Sequence, residues 1–298
     1  MKKIFAVFLA AFAVCALPAQ TAAERKAQFT GSLDSFLQDI NTNLPDNAVA
    51  GGTWSDGYIG QLIALPPHLG IGVSCGFSRF PLSGLVNAAD QVGGTLNTAD
   101  WLGNASIPLI NPAVELRIGG FVLPFDAGIR FSILSANDFF GLDVKYKSFS
   151  IDLRYALIES NVILPDLVVG LGWYHTSGSI DYGFNSADLA SEAGFSVPDT
   201  GTQNLGLDFR TNVFEARVQV SKTLLVFTPY LGLTGYYAKS ESSYEIADEE
   251  NTIADSCFGS RIYGGLSFNI FLFKIDLSAN YNFVSGNWGG NLGARFQL

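Results

Sequence analysis

The stretch Phe273 to Leu298, FKIDLSANYNFVSGNWGGNLGARFQL, decides how the rest of the chain is read. Phe273, Ile275, Leu277, Ala279, Tyr281 and Phe283 share one face, and Lys274, Asp276, Ser278, Asn280 and Asn282 share the other. A repeat of two is the period of a strand, because successive Cβ atoms of extended backbone point to opposite sides. After a turn at 285–287 a second run opposes Trp288, Gly290, Leu292, Ala294, Phe296 and Leu298 to Gly289, Asn291, Gly293, Arg295 and Gln297. A soluble sheet would bury the apolar face against a second layer. A membrane barrel turns that face to lipid and keeps the polar face for its lumen.

Composition separates these two readings. Hydrophobic residues reach 48% and charged residues only 15%, against about 25% charged in soluble domains. Yet no segment beyond the N-terminus offers the ~20 apolar residues of a spanning helix. That N-terminus, residues 1–23, has Lys2 and Lys3, an apolar run from Ile4 to Leu17, and small residues at Ala19, Ala22 and Ala23. It is predicted to be an export signal peptide, cleaved after Ala19 or Ala23. The net charge of −10 becomes more negative once Lys2 and Lys3 are removed, which excludes nucleic acid as a partner. Beyond Cys15 in the leader, only Cys75 and Cys257 remain, too few for a disulfide framework.

Residues 24–67 precede any strand and are expected to form a periplasmic N-terminal segment. Within it Leu33, Phe36, Leu37, Ile40 and Leu44 follow helical spacing, with Ser32 as N-cap and Asp34 in the first turn. This short helix is expected to be a plug or lid under a barrel, or a tether on its rim. Gly51, Gly52, Pro66 and Pro67 break the chain before the first strand. That strand, Leu69 to Phe80, turns Gly70, Gly72, Ser74 and Gly76 inward, so something packs closely behind them, and residues 24–67 are the candidate.

Residues 68–298 are expected to form the barrel, of about ten strands with a range of about eight to twelve. Long loops are expected after strands one, five and seven, the last being the acidic stretch Glu241 to Asp255, and short turns after strands two, four, six and eight. Long loops outside and short turns in the periplasm is the asymmetry of an outer-membrane barrel with both termini periplasmic. The run from Leu142 appears in opposite phase at Lys145 and Lys147, which predicts a bulge or strand beyond the bilayer.

This register turns Glu115, Arg117, Asp126, Arg130, Asp152, Arg154, Glu215, Arg217, Arg261, Lys274, Asp276 and Arg295 inward. A charge facing lipid would cost about 2–4 kcal/mol near the midplane, so pairing in the lumen is expected. Such a network either selects solutes or fills a narrow barrel, and a barrel of about ten strands favours filling. No metal set, phosphate loop or nucleotide motif occurs, and no cofactor is expected.

The alternating terminal strand, with Phe296 and Leu298 at its end, resembles those of bacterial outer-membrane β-barrel proteins. The resemblance implies a transmembrane antiparallel β-barrel in a double-membrane bacterium, with outer-membrane lipids and the barrel-assembly machinery as partners. Three functions are carried forward. The first is a small-solute channel or transport barrel with a partly filled charged lumen. The second is a structural or surface-interaction barrel working through its loops. In the third, Tyr174-His175-Thr176-Ser177 resembles the His-x-Ser pair of outer-membrane lipid hydrolases, which implies His175 and Ser177 as a catalytic pair on the outer face. The first two involve no enzyme, and that is the main expectation.

Overall fold

The computed structural model describes residues 20–59, 68–103, 105–119, 123–161, 163–197, 201–247 and 249–298. The signal-peptide reading for residues 1–19, and the chain break at Pro66 and Pro67, lie outside them.

Ten antiparallel strands close into a barrel in chain order, with β1 (His68–Pro81) sealing against β10 (Trp288–Gln297). Between them run β2 (Ser106–Gly119), β3 (Phe125–Phe139), β4 (Leu142–Ile158), β5 (Asp166–Asn185), β6 (Thr202–Ser221), β7 (Phe227–Ile246), β8 (Glu249–Ile270) and β9 (Phe273–Asn282). In its lower part closure leaves no sheet edge, whereas higher up residues 249–260 of β8 are paired only with β7, and β2 and β3 part beyond the Ala113–Ser132 rung. No described helix is long and apolar enough to cross a membrane.

The wall is of uneven height. β9 and β10 have 10 residues each, the length of one bilayer crossing, whereas β5, β6 and β7 have 20 and β8 has 22. The extra length changes chemistry rather than phase. In the lower part Ile151 and Leu153 of β4 face outward and exposed, while Arg154 is buried inside. Higher on the same strand Leu142, Val144 and Tyr146 are buried inside and Lys145 and Lys147 face out. Pairing with β3 and β5 runs unbroken through Lys145–Ser148, so the bulge reading is corrected. A rung of inward hydroxyls marks the changeover, with Thr176 donating to Ser148 at 3.1 Å and Thr211 bonded to Ser240 at 2.9 Å. Below it the barrel is apolar outside and charged inside; above it the barrel is polar outside and apolar inside, as water on both flanks demands.

The same inversion corrects the loops. The stretch Glu241 to Asp255 is the β7–β8 hairpin, with a turn at Ala247, not a loop. The long connection from Phe184 to Gly206 shrinks to 186–201, because β5 runs to Asn185 and β6 starts at Thr202. β2 starts at Ser106, where Pro108 and Pro112 hide the strand pattern.

The helix α1 (Ala22–Ala48) is twice the expected length. Its N-cap is Thr21, whose hydroxyl accepts from the Glu24 backbone N–H while the Glu24 carboxylate accepts from the Thr21 N–H, a reciprocal capping box. Ser32 lies inside the helix, not at its start. α1 also sits at the other end of the barrel from the one expected. Phe29 packs edge-on against Phe184 and Phe195, and Lys26 pairs with Glu249 at 2.5 Å, all at the end reached by β5 and β7. Leu33, Phe36, Leu37 and Ile40 are fully buried there with Phe80, Leu85, Leu207 and Ile246. On the side of the low β9–β10 wall α1 is covered by α2 (Ser83–Gln91), whose Gly84 lies so close that a Cβ would come within 2.6 Å of the Phe36 nitrogen. A short helix α3 (Ser186–Ser191) caps the β5–β6 connection.

From Ala48 the chain descends through the lumen as coil. Trp54 lies against Gly70, and the Ile59 N–H donates to Asp126 at 2.9 Å near the opposite end, where Leu298 bonds Leu69. The two ends of the described chain therefore lie at opposite ends of the barrel, which corrects the expectation that both termini share the periplasmic side.

Candidate functional site

The lower lumen is built from strand positions that alternation forces inward. Each of the sequence-expected inward charges lies there, Asp152 partly buried and the others buried. Seven of them are joined in one chain of ion pairs across β2 to β8. Arg117 bridges Asp126 at 2.5 Å and Asp152 at 2.7 Å, and Arg154 holds Asp126 at 2.6 Å. Arg217 lies 3.2 Å from Glu215 and 3.4 Å from Asp152, and Arg261 lies 3.4 Å from Glu215. A second group on β9 and β10 joins Arg295 to Asp276 at 2.7 Å, beside Lys274.

Missing from the sequence reading are the residues that join these groups. Asp56, from the coil after α1, accepts from Lys274 at 2.5 Å and from Arg295 at 3.2 Å. The Trp54 indole is flanked by the guanidinium groups of Arg117 and Arg295, 5.3 and 4.9 Å from its centre, and its Nε1 donates to Glu115 at 2.5 Å. Wall cations also end on backbone carbonyls of the same segment: Arg130 on Ala50 at 2.8 Å, Arg261 on Val49 at 2.9 Å, and Arg154 on Trp54 and Asp56, both at 3.0 Å. Asp46, at the foot of α1, accepts from Tyr236, Asn282 and Ser285 at 2.8, 2.6 and 2.7 Å. Gly- and Thr-containing coil has no periodicity, so nothing in the sequence pattern marked Trp54 or Asp56.

Charge decides what this segment does. The wall turns in seven cations, Arg117, Arg130, Arg154, Arg217, Arg261, Lys274 and Arg295, and six carboxylates, Glu115, Asp126, Asp152, Asp166, Glu215 and Asp276. Asp46 and Asp56 add two more from the threaded segment, Asp56 directly between Lys274 and Arg295. Isolated buried charges cost several kcal/mol each, so pairing is a condition of filling the lumen this way. The wall makes room through β1: a Cβ on Gly70 would meet the Trp54 ring at 2.5 Å, and one on Gly76 the Ala50 carbonyl oxygen at 2.8 Å.

His175 and Ser177 lie on the outer face of β5. His175 Nδ1 is bonded to Asn212 Oδ1 on β6 at 2.9 Å, and its ring stacks on Trp173. Among the described residues no hydrogen bond joins His175 to Ser177. Cys75 and Cys257 are free, on strands separated by β9 and β10.

An apolar belt facing outward, a sealed cylinder and ions held within define an outer-membrane β-barrel with an internally threaded N-terminal segment. No family model matches the sequence, and no curated protein matches it. Among solved structures the chain is similar to the translocator domain of the autotransporter NalP from Neisseria meningitidis, at 9% identity over 90% of this chain and 97% of that one, TM-score 0.43. It is also similar to the outer membrane protease OmpT from Escherichia coli, at 10% identity over 80% and 100%, TM-score 0.42. A third is the transport unit of the autotransporter AIDA-I from Escherichia coli, at 11% identity over 91% and 99%, TM-score 0.36.

Proposed function

We propose that this barrel is a closed structural and surface-presenting protein: its turn end and Leu298 face the periplasm, and α1, α2 and the tall β3–β8 wall stand above the outer leaflet as a folded crown. The observation that carries this reading is that five wall cations end on the threaded segment, Lys274 and Arg295 on Asp56 and Arg130, Arg154 and Arg261 on its backbone carbonyls. A segment on which the wall cations depend is a strut, and its release would leave Lys274 and Arg295 with Asp276 alone. The full chain reconstituted in planar bilayers is expected to pass no steady current. Stable single-channel steps from the intact chain would overturn the reading.

The runner-up is a channel opened by withdrawal of residues 49–59, favoured by the wholly non-covalent attachment of that segment. Current that appears in Asp56→Ala but not in the intact chain would select it.

A further inference from the structure

Among the described residues, five cations point outward from the strands: Arg79 on β1, and Lys145, Lys147, Arg210 and Lys239 on β4, β6 and β7. Four of the five thus converge on one face of a chain whose net charge is −10. Lys147, Ser177 and Arg210 share a single rung; Lys145 lies one inward–outward repeat above, and Lys239 one below, opposite Asn212. The strand between β4 and β6 offers only Ser177, Gly178 and Ser179 at this height, which leaves a groove of about 640 Å³ with cations on both banks and hydroxyls on its floor. The banks are two strand spacings apart, about 10 Å. Arg210 also lines a second groove of about 660 Å³, with His175, Asn212 and Lys239 and the acids Glu241 and Asp255.

Height identifies the occupant. The next outward rung toward the bilayer is Ile151, Trp173, Phe214, Tyr237 and Phe258, an aromatic girdle of the kind that marks the membrane interface. The cations stand just above it, where lipid headgroups lie. Two acids share the groove. Glu241 holds Arg210 through both its oxygens at 2.8 Å, and Asp208 lines the upper part. Lys145 and Lys147 make no salt bridge among the described residues.

We infer that the outer wall of β4 to β7 binds the phosphate groups of an anionic glycolipid of the outer leaflet, gripped by Lys145, Lys147, Arg210 and Lys239 with hydroxyl donors from Ser177 and Ser179. The inference rests on the orientation proposed above, but a measurement in micelles is blind to orientation, so failure there sinks the site alone. The full chain, folded in micelles of a neutral sugar detergent, is titrated with bis-phosphorylated lipid A and with the same lipid after removal of its phosphates, and bound lipid is counted by native mass spectrometry. Affinity for the phosphorylated lipid is expected to fall roughly fivefold for each cation removed in Lys145→Gln, Lys147→Gln, Arg210→Gln and Lys239→Gln. Arg79→Gln is expected to bind as the intact chain does. All five positions are on the surface, and retained heat-modifiable mobility on gels verifies the fold of each variant. Equal binding of the dephosphorylated lipid, an unchanged quadruple variant, an equal loss in Arg79→Gln, or displacement of the lipid by inorganic phosphate at equal concentration would each overturn it.

Discussion

Asp56 stands where two wall cations meet, and nothing else in the second charged group can replace it. In Asp56→Ala, Lys274 and Arg295 would share only Asp276, and breaking a buried pair costs roughly 3–5 kcal/mol. The midpoint of urea-induced loss of heat-modifiable mobility is expected to fall accordingly, and Lys274→Met in the same chain to restore part of it. A midpoint unmoved by Asp56→Ala would show that the pairs are incidental. Gly76 sets a steric test of the same contact. An added methyl would press on the Ala50 carbonyl oxygen, which is backbone and cannot swing away, so Gly76→Ala is expected to destabilise by about 1–3 kcal/mol. Asp39, on α1 in the crown, is half-buried, and burial raises its pKa despite the hydroxyl of Ser83 and the charge of Arg79 nearby. A carboxyl raised in the folded state stabilises the protein at low pH, and that contribution is lost as pH rises through the raised value. Asp39→Asn is therefore expected to be more stable than the parent at neutral pH, with the difference vanishing below about pH 4. A gap that widened on acidification would reverse the sign. At this scale the strand positions were legible in the sequence because alternation fixes a side for each residue. Trp54 and Asp56 were not, because coil assigns no side.

Among the elements, α1 and the upper strands taught most. Helical spacing from Leu33 to Leu44 located the core of α1 but not its first turns, since Glu24, Arg25, Lys26 and Gln28 are polar and carry no apolar stripe. They are helical because the Thr21–Glu24 box satisfies the first N–H groups. The place of α1 was not legible at all. Its apolar stripe could have packed under a rim as readily as within a crown, and the deciding partners, Phe184, Phe195 and Leu207, lay in stretches where the outward pattern had turned polar. The upper strands were misread for one physical reason. Past the bilayer, water outside and helix inside exchange the two faces, so a lipid-facing template finds only loop or bulge. If the crown core is that of a soluble domain, Phe36→Ala opens a cavity worth about 3–5 kcal/mol. Protease sensitivity is then expected to rise in the crown, while β9 and β10 stay protected in micelles. Equal loss in both would mean that crown and membrane portions unfold as one unit.

For the molecule as a whole, ten strands in unbroken chain order and an apolar belt were within reach of the sequence, because both follow from local alternation repeated along the chain. The threading was not, since it depends on what the lumen holds. It has a consequence for biogenesis. The enclosed residues precede β1 in the chain, and the seam that shuts them in joins β1 to β10, the strands farthest apart in the sequence. A finished cylinder crowded with ion pairs offers no path for a 27-residue helix with its flanking coil, so the sheet has to curl around its cargo and fasten like a clasp. During refolding into micelles, quenching of Trp54 is expected to precede or accompany the gain of heat-modifiable mobility; quenching that lags behind it would mean that the passenger enters a vessel already shut.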